Sequence, residues 1–367
     1  MKLRYKITSG FLIVLAVLIT VLGLVLSYTE DCGPAPELSA GAASMNAAVR
    51  RCYGSFDVIE IARIEKPAPK DGEVLVRVHA ASVNPLDWHY LQGSPYVMRA
   101  MTGLGKPDSI RMGVDYSGTV EAVGANVTAF KPGDEVFGGR DGAFAEYVIV
   151  GADRAIALKP ANITFEQAAS VGIAGITALQ ALRDKGNLQS GQRVLINGAS
   201  GGVGTFAVQI AKSYGAEVTA VCSGRNEELV RSIGADHVFD YKKEDYTESG
   251  EQYDLIIDNV GNHGLLANAG MLTDDGKLVM IGGEKGNWIA PFKGEIKAFV
   301  LSPFVGPELV GILARFNQDD LNGLGDLMQS GTVTPVIDRT YSLSEVPQAI
   351  AYSKEGHARG KIIVTVP

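Results

Sequence analysis

The chain is poor in the residues that most often carry metal or redox chemistry. Only three cysteines occur in 367 residues. Cys32, Cys52 and Cys222 are too scattered to suggest a disulfide framework or a C-x-x-C metal site. Five histidines, His79, His89, His237, His263 and His357, stand far apart, so each reads as a surface or hydrogen-bonded residue rather than a ligand. Positive charge is short as well: 33 Lys and Arg against 41 Asp and Glu leave a net charge of −8, with no basic cluster to offset it. That balance argues against nucleic acid as a partner. Apart from a small-residue stretch near the front, there is no repeat or low-complexity tract. What remains, 44 glycines and 46% hydrophobic residues over a length sufficient for two cored domains, fits a soluble enzyme.

The front differs from the rest. Charge is missing altogether from Ile7 to Thr29, and Phe11–Leu26 is almost wholly apolar. About 23 residues at a rise of about 1.5 Å extend about 34 Å, enough for one transmembrane helix. The rival reading is a cleaved signal peptide cut after Ser27, but the apolar core is longer than a usual h-region and no Ala-x-Ala follows it. Residues 1–44 are therefore expected to be a single-pass membrane anchor and linker, with Gly33–Ala43 as a short tether. Lys2, Arg4 and Lys6 before the span favour translocation of the domain beyond it. Supply of a cytoplasmic cofactor leans the other way, towards a catalytic domain facing the cytoplasm.

That cofactor is announced by Val194-Leu-Ile-Asn-Gly-Ala-Ser-Gly-Gly-Val-Gly204, which runs into Thr205-Phe-Ala-Val-Gln-Ile-Ala-Lys212. An apolar strand stops at glycines and an amphipathic helix starts among them, so the free N–H groups of the helix end can receive a pyrophosphate. The expected contacts are Ala199, Ser200, Gly201, Gly202, Val203 and Gly204, with Ala199 standing where the first fingerprint glycine is usual. A glycine turn alone is weak, but strands and helices alternate onward through Glu217–Val221, Gly234–Asp240 and Asp254–Asp258, as in a doubly wound Rossmann sheet. NAD-binding units place an acid about 20 residues past the glycines. Here Thr219–Asn226 contains none. Ser223 and Arg225 instead offer a hydroxyl and a guanidinium fork to a 2′-phosphate, which favours NADPH. Asn259-Val260-Gly261 and Ile281-Gly282-Gly283 end two further apolar runs and are expected to line the cofactor cleft.

Before this unit, Val74–His79, Gly118–Val123, Glu135–Phe137 and Glu146–Val150 read as short strands between Gly and Pro turns, suggesting a partly open β-barrel. Gln167–Leu182 reads as helix and Lys361–Val366 as a last strand that could return to the first domain. Gln92–Met112 reads as a long loop or lid whose Met98, Met101 and Leu104 suit an apolar substrate. The expected domains are 45–167, 168–305 and a return over 306–367.

From Met45 onward the chain resembles the medium-chain dehydrogenase/reductase superfamily, closest to its quinone oxidoreductase or zeta-crystallin-like branch. The resemblance rests on Ser82-Val-Asn-Pro-Leu-Asp87, Gly113-Val-Asp-Tyr-Ser-Gly-Thr-Val-Glu-Ala-Val-Gly124, Lys131-Pro-Gly-Asp-Glu-Val-Phe-Gly138, Gly142-Ala-Phe-Ala-Glu-Tyr-Val148, Ile173-Ala-Gly-Ile-Thr-Ala-Leu179 and the glycine loop. It implies an α/β protein with a GroES-like catalytic domain, interrupted by a Rossmann domain, and the active site between them. It also carries Thr177 towards the nicotinamide and Tyr241 towards the adenosine 2′-phosphate, with Gly360 and Lys361 as weaker cofactor contacts. The zinc-ligand positions of the superfamily fall on Asn84, Val114 and about Val171, which supply no set of good zinc donors, so no metal is expected. The implied reaction is hydride transfer from NADPH to a small apolar quinone or α,β-unsaturated carbonyl.

The candidate catalytic residues are Asn84, Asp87 and Tyr90, with Tyr96 beside them. Each has a second reading. Asn84 donates to a substrate oxygen or the nicotinamide ribose, or merely caps a turn. Asp87 orients neighbours or relays a proton, or is a helix N-cap. The tyrosines are phenol donors or packing residues. A homodimer is left open as the assembly. The alternative function is a membrane-tethered sensor that holds NADPH and does little chemistry. A short-chain dehydrogenase is set aside, because no tyrosine has lysine four residues later.

Overall fold

A computed structural model describes the backbone of residues 2–35, 37–283, 286–290, 293–301 and 305–367, and their side chains except those of residues 2–12, 295, 299 and 300. Short alternating runs make the first sheets. β1 (Ser44–Arg50) and β2 (Ile59–Glu65) form an antiparallel hairpin. β3 (Glu73–Val83) is the central strand of a seven-stranded sheet and pairs antiparallel with both β4 (Asp115–Val123) and β6 (Tyr147–Gly151). β5 (Glu135–Gly139) follows β4, and β7 (Ile156–Leu158) follows β5. Register shifts at Leu75/Val76 and Val78/Ala80 interrupt β3. Such irregularities bend a strand, which lets one strand serve several partners in a partly closed barrel.

β8 (Arg193–Asn197), β9 (Glu217–Cys222), β10 (His237–Asp240), β11 (Tyr253–Asp258), β12 (Leu272–Met280) and β13 (Glu308–Gly311) form a second sheet, all parallel, in the order β10-β9-β8-β11-β12-β13. The order reverses between β8 and β11, the point at which doubly wound sheets bind dinucleotides outside their strand carboxyl ends. Val194, Leu195, Ile196, Leu255, Ile256 and Ile257 are fully buried, as expected of parallel strands covered on both faces. β14 (Ile337–Ser342) and β15 (Lys361–Thr365) then rejoin the first sheet, β15 lying antiparallel to β3.

Several expectations need correction. The parallel sheet runs past residue 305 to β13, a four-residue strand too short to show a pattern in sequence. The helix expected over Gln167–Leu182 is two helices, Phe165–Ala169 and Gly172–Gln180, followed by a wider turn over Ala181–Lys185. Thr164 caps the first of them by accepting from the Gln167 N–H at 3.2 Å. Cys32 and Cys52, twenty residues apart, are joined in a disulfide that their spacing did not signal.

A helix covers Lys2–Ser27. Among the described residues no helix is long and apolar enough to cross a membrane. Residues 7–12 of the expected span lie outside the described side chains. The expected tether is fastened at both ends, by the disulfide, by Arg51 bonding the Gly33 carbonyl, and by the Ser39 N–H donating to Glu65 at 2.9 Å.

Candidate active site

The turn after β8 is built for close approach. Gly198, at φ +78°, makes the tight turn, so the structural first glycine is Gly198 and Ala199 is not a defect in the fingerprint. A Cβ on Gly204 would lie 2.2 Å from the Gly198 carbonyl oxygen, so helix Gly202–Ser213 packs too tightly on its strand for a side chain there. Gly201 differs. A Cβ there would meet only the Gly198 oxygen at 3.4 Å. The packing does not demand glycine at 201, and the space it leaves suits a ligand phosphate at the helix end.

The turns after β11 and β12 close the same crevice. Asp258 Oδ1 accepts from the N–H groups of Val260 at 3.0 Å and Gly261 at 2.9 Å, and from Asn197 Nδ2 at 2.9 Å. The N–H groups of Ile281 and Gly282 donate to the Asp258 carbonyl at 2.9 and 3.1 Å. A Cβ on Gly282 would lie 2.2 Å from the Asn259 carbonyl. Gly283 packs against Gly261, whose added Cβ would fall 2.9 Å from the Gly283 Cα.

Shortly after β9 stands a buried polar residue with no signal of its own in the sequence. Asn226 donates from Nδ2 to Ser200 Oγ at 2.9 Å and to Ser223 Oγ at 3.2 Å, tying the glycine loop to the adenosine end. Its Oδ1, like that of Asn259, is buried and has no hydrogen-bond partner among the described residues. Buried orphan acceptors beside a cradle are what a polar ligand would satisfy. Arg225 is exposed on a short turn, Gly224–Asn226, with its guanidinium 3.2 Å from the His357 carbonyl. Tyr241 is half exposed, and its N–H donates to the Cys222 carbonyl at 3.2 Å. The cradle and its orphan acceptors fit a dinucleotide.

The polar centre lies where β3 ends. Pro85 begins helix Pro85–Gln92, Asn84 is its N-cap, and the Asn84 N–H donates to Asp87 Oδ2 at 2.7 Å. Asp87 is therefore the third helical residue and not the N-cap, because proline fits the first helical position. The Asn84 side chain is turned elsewhere. Its Nδ2 donates to Asp115 Oδ2 at 2.9 Å and to the Ser82 carbonyl at 3.3 Å, while its Oδ1 accepts from Lys361 Nζ at 2.5 Å. Both amide hydrogens are engaged, so the expected donation from Asn84 to a substrate oxygen is not available in this arrangement.

Asp115 also accepts from Ser82 Oγ at 3.0 Å and the Ile173 N–H at 2.9 Å, and lies 3.6 Å from Lys361 Nζ. Asn84, Asp87, Asp115 and Lys361 are all buried. Burial raises the Asp87 carboxyl to about 7, helped by Asp115 and opposed by the Asn84 N–H, Lys361 and Arg50. Burial likewise raises Asp115 and lowers Lys361, against their mutual attraction.

Lys361 joins this centre to the cofactor loop. The Gly360 N–H donates to the Ser200 carbonyl at 2.9 Å, and a Cβ on Gly202 would lie 3.1 Å from Lys361 Cδ. Asp115 was not singled out in the sequence and Lys361 only weakly, since nothing local pairs positions so far apart. Tyr90 is half-buried, with Arg50 5.9 Å from its ring centre, and burial raises its phenol. Tyr96 packs edge-on against Trp288 at 5.1 Å. The Thr177 hydroxyl donates to the Ile173 carbonyl at 2.7 Å within its own helix. Asn84, Val114 and Val171 bring no thiolate or imidazole, and a lysine ammonium sits on the Asn84 oxygen, which does not fit zinc.

Comparison with known proteins agrees with this architecture. Residues 70–160 match the alcohol dehydrogenase GroES-like domain and residues 233–364 match a model described as zinc-binding dehydrogenase. The human protein named NAD(P)H oxidoreductase RTN4IP1, mitochondrial, is 35% identical over 80% of this chain and 82% of its own length. The chloroplast envelope quinone oxidoreductase homolog of Arabidopsis thaliana is 34% identical over 83% and 93%. The 2-methylene-furan-3-one reductase of Solanum lycopersicum is 31% identical over 85% and 76%. Among solved structures, the quinone oxidoreductase from Coxiella burnetii superposes with a TM-score of 0.79 at 30% identity, over 88% of this chain and all of that one. The chain belongs to the medium-chain dehydrogenase/reductase superfamily, among its quinone oxidoreductase-like members.

Proposed function

We propose that this protein is an NADPH-dependent, zinc-independent oxidoreductase acting on a quinone or an α,β-unsaturated carbonyl compound. The observation that supports the reading is Lys361, which ties the glycine loop to the buried Asn84–Asp115 centre. When bound, the cofactor supplies a hydride, whose electron pair ends on the acceptor oxygen as an enolate or hydroquinone anion that then takes a proton. Holding both partners in one crevice removes much of the entropic barrier.

The cofactor is held in this reading by Thr177, by Ala199 to Gly204, by Ser223, Arg225 and Tyr241, and by Asn259, Val260 and Ile281 to Gly283. Arg225 and Ser223 meet the 2′-phosphate. Asn84 shapes the pocket wall, with its amide fixed by Asp115 and Lys361. Asp87 carries a proton near neutral pH, and Tyr90 offers a phenol from the same helix. Attachment to a membrane through residues 7–29 and a homodimeric assembly belong to the same proposal. Supply of NADPH places the catalytic domain on the cytoplasmic face in this reading.

Titration with NADPH and NADH by fluorescence, on wild type and Arg225→Ala, tests the cofactor assignment. NADPH binding should weaken at least about tenfold in the variant with NADH binding unchanged, in keeping with loss of a charge-assisted contact. Equal affinity of both cofactors in wild type contradicts it. NADPH oxidation that does not accelerate on adding a quinone or enone points to the sensor reading, which the fully engaged Asn84 amide favours.

A further inference from the structure

The end of the N-terminal helix is bolted to the two segments that flank the crevice. Arg99 Nη1 donates to the Tyr28 carbonyl at 2.7 Å, to Thr29 Oγ1 at 3.1 Å and to the Leu26 carbonyl at 3.2 Å. The Glu30 N–H donates to the Gly105 carbonyl at 2.9 Å, and Lys106 pairs with Glu30 at 3.2 Å. Gly23 faces Trp288, to whose ring an added Cβ would come within 3.4 Å. Trp288 accepts at its carbonyl from the Val97 N–H at 3.3 Å, and the Tyr96 N–H donates to the Asn287 carbonyl at 2.6 Å. Segment 94–105 begins just after the helix that carries Asp87 and Tyr90. Segment 286–290 comes after the cofactor turn ending at Gly283. Helix exit, first segment and second segment are thus one connected patch.

The outward side of this patch is mainly apolar, with the exposed Lys106–Glu30 ion pair at its edge. Met101 is 86% exposed, Leu104 53% and Trp288 52%, with Ile289 beside them. The one charged residue in 94–105, Arg99, is buried and turned to the helix carbonyls, and 286–290 has none. The described part of the helix is exposed and apolar in the same way, Ile13, Leu18 and Leu24 each above 60%. Large contiguous apolar surface marks a partner or a membrane. The continuity of this surface with the helix decides between them.

We infer that Val97, Met101, Leu104, Trp288 and Ile289 form a rim that rests in the surface of a phospholipid bilayer and opens the acceptor crevice towards the lipid. The inference rests on the membrane-anchor reading and goes beyond it: the anchor is a rigid mount that sets which face meets the bilayer, and the acceptor class is one dissolved in lipid.

Full-length protein reconstituted in phosphatidylcholine vesicles, with and without brominated acyl chains, tests this. Flotation with the vesicles reports the anchor. Quenching of tryptophan fluorescence by the brominated chains reports the rim, because the chain has only two tryptophans, Trp88 and Trp288. The rim predicts clear quenching in wild type that disappears in Trp288→Phe. Ile289→Asp, at a rim position outside the expected substrate loop, should raise the apparent KM for a long-chain quinone in vesicles at least about tenfold, leaving that for a short water-soluble quinone unchanged. Protein that floats with Trp288 unquenched overturns the rim and leaves the anchor standing. Protein that stays in the aqueous layer overturns both.

Discussion

Replacing Asp87 by asparagine isolates one carboxyl of the buried centre without disturbing its shape. The amide oxygen can still accept from the Asn84 N–H, which Asp87 holds at 2.7 Å. In the native protein Asp87 is buried and its carboxyl is raised from 3.8 to about 7, chiefly by that burial. A carboxyl with a raised folded-state pKa binds more protons folded than unfolded between those two values. Its contribution is therefore fully favourable below about pH 4 and is lost as pH rises through about 7. A shift of about three units corresponds to about 4 kcal/mol at most, and relaxation around the charge should leave about 2 kcal/mol. Urea denaturation of both proteins in mild detergent at pH 5 and pH 8 measures it. Only about two of the three units lie above pH 5, so wild type should lose about 1.3 kcal/mol more than Asp87→Asn between the two pH values. Parallel losses would refute the assignment of a protonated, buried Asp87 at neutral pH.

Two further perturbations separate packing from ligand contact and test the central ion pair. Gly204→Ala should cost several kcal/mol of stability and abolish cofactor binding, because its Cβ meets backbone at 2.2 Å, whereas Gly201→Ala should fold normally and lose only cofactor affinity, about tenfold or more. Thermal melts and a cofactor titration on both variants check this. Lys361→Met strands the buried Asp115 carboxylate and should cost about 3–5 kcal/mol, of which adding Asp115→Asn should restore a large part; a double variant no more stable than Lys361→Met would deny the pairing.

The parts of this protein that sequence made legible are those written locally. The glycine loop, the acid-free end of β9 and the strand-ending turns at Asn259 and Ile281 each sit within a few residues of the backbone feature that uses them. The return of β15 to β3 was legible too, from a β-rich start and a terminal strand. What escaped depends on contacts across the chain. Asn84 and Lys361 are 277 residues apart, and only the fold shows that the lysine engages the amide oxygen, which sequence alone leaves open to other roles. Cys32 and Cys52 looked scattered because twenty residues of spacing match no familiar pairing. Gly198 is hidden beside Ala199, since a pattern of letters does not say which residue takes the positive φ. The contacts that hold Gly33 and Ser39 of the tether are likewise invisible locally, since their partners Arg51 and Glu65 lie 18 and 26 residues away.

The most direct test of the proposed activity is the fate of the nicotinamide hydrogen. Full-length protein would be incubated with NADPH carrying deuterium at both nicotinamide C4 positions and an α,β-unsaturated ketone, and the product analysed by mass spectrometry and NMR. Hydride transfer to an acceptor held beside the cofactor predicts one deuterium at the carbon β to the carbonyl, with the hydrogen at the α carbon drawn from solvent. Cofactor oxidised with no label in the product, or label appearing at the carbonyl carbon as in direct reduction to an alcohol, would contradict the account.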